Sequence, residues 1–106
     1  MEISMWNIED MTGYQPKTTF WMDFSIADKF GIDAVKDTYK WAFESWKSDV
    51  VYLTELAMVL NWKIWEHYEK NEALTEVYQD LWTKADVYAM ENLTGNDLDY
   101  YLRTTD

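Results

Sequence analysis

The chain has 106 residues, and 20 acids against nine bases give it a net charge of −11. Such a surface excludes direct binding to DNA, RNA or anionic membrane, whose phosphates demand a basic face; it suits a basic protein partner, or simply keeps a small domain soluble. The length predicts a single helical domain over 1–106 that folds without staples, while an aromatic share of 18% and the absence of cysteine exclude disorder, disulfides, a thiol nucleophile and a cysteine metal site.

The N-terminal MEISMWNIED has no basic region followed by an apolar run, so no secretory signal is expected. No run approaches the roughly 18 apolar residues of a spanning helix, and the expected setting is cytoplasmic. Gly13 and Pro16 make residues 1–18 an extension or loop, with Met11 as an alternative start. FWMDFSIADKF then places Phe20, Phe24 and Ala27 on one face of a short helix closed by Gly31. In IDAVKDTYKWAFESWKSD, Val35, Tyr39, Ala42, Phe43 and Trp46 recur at helical spacing behind Asp33 as cap. Asp37, Lys40, Glu44 and Lys47 form the outer face, and Trp41 points outward with them.

A long helix is predicted from about Val50 to Lys70, capped by Ser48 or Asp49. Its core arc holds Leu53, Leu56, Ala57, Leu60, Ile64 and Tyr68, with His67 at the edge. Trp62 and Trp65 fall on the nearly opposite side with Val51 and Met58, so this helix is apolar on two faces. Asn71 marks a break before a third helix from about Glu72 to Leu93, with Leu74, Val77, Tyr78, Leu81, Ala85, Tyr88 and Ala89 inward and Gly95 as its C-terminal cap. Asn96 caps a last short helix through DLDYYL. The fold class is therefore all-α, a compact bundle of three main helices plus one or two short ones.

The runs TTFWMDFSIADKFG, YLTELAMVLNWKIWEHY and MENLTG resemble a group of small, uncharacterised helical proteins carried by mobile elements of gut Firmicutes, over about residues 11–106. The resemblance implies no activity and no catalytic residue. It implies a role of the kind some small acidic proteins of such elements play, the blocking of a host defence system.

No enzyme signature stands out. None of Ser4, Ser25, Ser45 and Ser48 lies in a Gly-x-Ser-x-Gly turn, and no glycine-rich loop exists to hold a phosphate. His67 lacks a carboxylate three residues before it, where position 64 is isoleucine, and Lys70 and Asn71 follow it; a hydrogen-bonded histidine at the core edge is expected rather than a metal ligand. No catalytic residue, metal or cofactor is predicted, although His67 with carboxylates from another helix is the arrangement an enzyme or metal protein would need.

Two surfaces carry the functional expectation. Glu66, Glu69, Glu72, Glu76 and Asp80 succeed one another every three or four residues, forming an anionic ridge if the turn at Asn71 keeps them on one edge. Exposed Trp41, or the Trp62/Trp65 face, would supply aromatic anchors for a protein partner. A solvated face is the commoner reading of such a ridge. Cover by another helix of the chain is the favoured reading of Trp62 and Trp65, with a second copy in a homodimer as the alternative. The leading reading is a noncatalytic protein-binding module, in its most specific form an inhibitor or regulator of a nucleic-acid-handling host system.

Overall fold

The structure, a computed structural model, describes residues 16–105; the readings of residues 1–15 lie outside them. It is all-α: α1 (Phe20–Phe30), α2 (Ile32–Trp46), α3 (Val50–His67), α4 (Glu72–Asn92) and α5 (Gly95–Thr105). The three longest are those expected from periodicity, and α1 and α5 are the two short ones. No helix among the described residues is long and apolar enough to cross a membrane.

The joints follow from local chemistry. A single residue, Gly31, separates α1 from α2; its N–H donates to the Ala27 carbonyl at 3.1 Å, and its φ of +112° is open to glycine at little cost. Gly31 rather than Asp33 holds the cap position of α2, and Asp33 lies in the first turn. Asp49 caps α3 by accepting from the Val51 and Tyr52 N–H groups, and Asn71 caps α4 through Leu74 N–H. Two expected boundaries move. α3 stops at His67, because the chain turns through 68–70 with Glu69 at φ +67°. Gly95 is the first residue of α5 and does not cap α4, which ends on a Leu93 N–H bonded to the Ala89 carbonyl.

α3 is the centre of the bundle and touches each of the other four helices. Its inner arc of Leu53, Leu56, Ala57, Leu60 and Ile64 is buried as the wheel predicts. The main core joins Leu56, Leu60 and Ile64 to Phe20, Phe24, Val35, Tyr39, Leu74, Tyr78 and Leu81. A smaller core under α5 gathers Leu53, Ala57, Ala89 and Tyr101, and the Phe43 ring packs against both. Tyr68 departs from its predicted place: outside the helix, it is half exposed.

The second buried side of α3 is not the tryptophan side. Glu55, Val59 and Lys63, at intervals of four, are all buried, whereas Trp62 and Trp65 remain 41% and 65% exposed. No described helix covers those two indoles, which corrects the expectation that another helix of the chain does so. Trp62 meets Trp21 of α1 edge to face, with centroids 6.1 Å apart.

Buried phenols link the cores to pH. Burial, and secondarily the charge of Asp80, pushes Tyr39 from 10 up to about 12. Tyr78 and Tyr101 are pushed up further by burial and by hydrogen bonds to Asp28 and Asp86. Because the folded state keeps these protons longer than the unfolded chain, their contribution is intact below pH 10 and is lost as pH rises through the folded values. The melting temperature is expected to hold up to about pH 10 and to fall above it, as the unfolded chain releases phenol protons that the folded state retains, Tyr39 up to about pH 12. Replacing Tyr39 with phenylalanine should flatten that fall; an unchanged alkaline profile would remove Tyr39 from the account.

Candidate partner-binding surface

Around the start and end of α3 and α4 the structure sorts the acids into two groups, one turned inward and one turned out. The inward group converges on Asp28 of α1. Its Oδ2 accepts from Lys63 Nζ at 3.0 Å and lies 2.9 Å from His67 Nε2, while its Oδ1 accepts from the Tyr78 hydroxyl at 2.5 Å. Lys63 Nζ also donates to Ser25 Oγ at 3.0 Å and to Glu66 Oε2 at 3.2 Å. One partly buried carboxylate thus ties α1 to α3 and α4. The His67 ring lies nearly parallel to that of Tyr78, with centroids 5.6 Å apart.

His67 is therefore hydrogen-bonded at the core edge, as expected, but by a carboxylate of another helix that sequence spacing could not reveal. Asp28, Glu66 and His67 could each offer one ligand atom within 4.8 Å of the others. Lys63 decides what this arrangement can do. Its ammonium already sits 3.0 and 3.2 Å from the same two carboxylate oxygens, so a divalent ion there would meet a buried like charge. With both carboxylates ion-paired to it, the amine serves as a donor towards Ser25 and is poorly placed to act as a base. The cluster reads as a structural hub.

This divides the predicted ridge. Glu66 belongs to the hub, half exposed and paired with Lys63. Asp80, further along α4, is paired with Lys84 at 3.2 Å and exerts its charge on Tyr39. Glu69, Glu72 and Glu76 stay together and line one open groove with Tyr68, Lys70, Thr75 and Gln79. The break at His67 produces this grouping, because the left-handed turn at Glu69 folds the end of α3 onto the first turns of α4.

Beside that groove stands an aromatic pair. Trp65 meets Tyr68 edge to face, with centroids 5.6 Å apart, and both rings are exposed. Tyr68 belongs to the pair and to the groove wall, so aromatic and acidic surfaces are continuous. Tyr68 escaped sequence reasoning because a helix carried through to Lys70 placed it inward. Trp41 is exposed as predicted but lies elsewhere, with its edge against Phe20 on the α1/α2 side. Comparison with known protein families, with curated proteins and with solved structures finds no match to this chain.

Proposed function

We propose that the chain is a noncatalytic module that binds a protein partner through a basic surface on that partner. The observation that carries this reading is the continuity of the exposed Trp65–Tyr68 pair with the groove of Glu69, Glu72 and Glu76. Aromatic rings that are rigid and half wet are what protein interfaces use as anchors, and grouped carboxylates speed and orient the approach of a basic partner. Glu69 adds support. It is a non-glycine residue held at φ +67°, a conformation costing roughly 1–2 kcal/mol outside glycine, asparagine or aspartate. A carboxylate kept there at the expense of stability fits a surface shaped for binding.

The finer proposal is that the partner handles nucleic acid, its basic channel meeting carboxylates in place of phosphates, in a cytoplasmic host. Reversing charge at Glu69, Glu72 and Glu76 should lower capture of the partner by about tenfold or more at moderate salt, with an unchanged melting temperature. Glu69→Asn should weaken capture while leaving stability equal or higher. Capture that survives the triple reversal removes the acidic groove from the reading.

A second copy of the chain is the alternative occupant of the Trp62/Trp65 face, favoured by the exposure of both indoles. Sedimentation separates the two. A dimer that becomes monomeric on Trp65→Glu would support self-association, and a wild-type monomer at high concentration would end it.

A further inference from the structure

A second surface lies on the opposite pair of helices. The one-residue joint at Gly31 makes α1 and α2 run back along each other, and the Phe20–Trp41 edge contact shows that they stay close at their far ends. Between them runs an open furrow. Its floor is Ala27 and Ala34, small enough to leave a trough, and its walls are Ile26, Phe30 and Trp41. All three wall residues are exposed, Phe30 at 79%. A phenylalanine this bare at a helix end gains nothing from the fold.

The polar rim is of one sign. Asp23 on α1 and Asp37 on α2 line the furrow, and no base among the described residues lines it. At the corner, Phe30 also borders a depression lined by Asp33 and Asn71, so the apolar trough opens towards one further acid. The flanking helix α1 is about 16 Å long, matching roughly three turns of a helical occupant.

We infer that this furrow seats an amphipathic helix of a partner protein, its apolar residues spaced i, i+4 and i+7 over Ile26, Phe30 and Trp41 and its lysines or arginines facing Asp23 and Asp37. Helix-in-groove docking needs a trough that admits an axis about 8–10 Å from each wall helix, and small floor residues provide it. The inference rests on the binding-module reading but uses a different surface from the glutamate groove.

The test uses the full chain and three fluorescent peptides: a helical one with leucines at i, i+4 and i+7 flanked by lysines, the same with glutamates for lysines, and a scrambled lysine peptide of identical composition. Anisotropy titrations should show the first binding at least about tenfold more tightly than either control. Phe30→Asp and Ile26→Asp should each weaken it by about tenfold or more, and Asp37→Asn should weaken it less while reducing its salt dependence, all with unchanged melting temperatures. Equal binding of the scrambled peptide, insensitivity to Phe30→Asp, or no binding at all overturns the furrow. So does a wild-type dimer that Phe30→Asp dissociates, since a second copy would then be the occupant. Charge reversal at Glu69, Glu72 and Glu76, titrated in parallel, should leave the lysine peptide bound; loss of binding through those residues alone would assign the peptide to the glutamate groove and overturn the furrow while sparing the binding-module reading.

Discussion

Replacing Asp28 with alanine should cost about 3–5 kcal/mol, the usual scale for removing one partner of a buried ion pair. Lys63 is 2% exposed, so its ammonium would keep only Glu66 and Ser25 as partners while remaining out of water. His67 and Tyr78 would lose their acceptor in the same step. A domain of this size has about 5–15 kcal/mol in total, so the variant should lie close to unfolding at physiological temperature. Urea midpoints read the effect directly. A double replacement, Asp28→Asn with Lys63→Met, removes both charges and should recover a large part of the loss, because burying two matched charges gains little over apolar packing. A loss below about 1 kcal/mol for Asp28→Ala, or no recovery in the double variant, would sink the view of Asp28 as the hub joining three helices.

That hub marks the boundary of what the residues disclose in order. The inner arcs of α1 to α4 were legible because burial of apolar side chains repeats at 3.6 residues, and Phe20, Phe24, Val35, Leu60 and Tyr78 are buried where that period puts them. Asp49 and Asn71 were legible as caps because a short polar side chain satisfies nearby N–H groups. Lys63 and Glu55 were not legible. A charge on a helix face reads as solvated until its partners are known, and here those partners lie 35 and 37–38 residues away. Searching α3 for a second apolar side therefore selected Trp62 and Trp65, when the buried side was held by Val59 between a hydrogen-bonded glutamate and an ion-paired lysine. The ridge divides for a related reason. Spacing alone cannot tell that α3 stops at His67, and the stop is what separates Glu66 from Glu69.

Glu55 supplies the other large effect. At 2% exposed, its Oε1 accepts from the Lys17 N–H at 2.9 Å, and its Oε2 accepts from the Thr18 N–H at 3.0 Å and from the Thr18 hydroxyl at 2.5 Å. The same hydroxyl oxygen accepts from the N–H of Phe20, the first residue of α1. A carboxylate in the middle of α3 thereby fixes the start of α1, whose Phe20, Trp21 and Phe24 enter the core. Glu55→Gln preserves shape but turns an NH2 group towards donors, and it should cost about 2 kcal/mol; Glu55→Ala adds a cavity and should cost about 3 kcal/mol or more. Hydrogen exchange should show α1 amides opening first, while α4 amides keep more of their protection. Because α1 carries Asp28 and one wall of the furrow, the same variants should also weaken binding of the lysine-flanked peptide, although no side chain of α3 lines that furrow. Equal loss of protection in α1 and α4 would mean that Glu55 acts on the whole bundle, and intact α1 protection would mean that the core aromatics hold that helix without it.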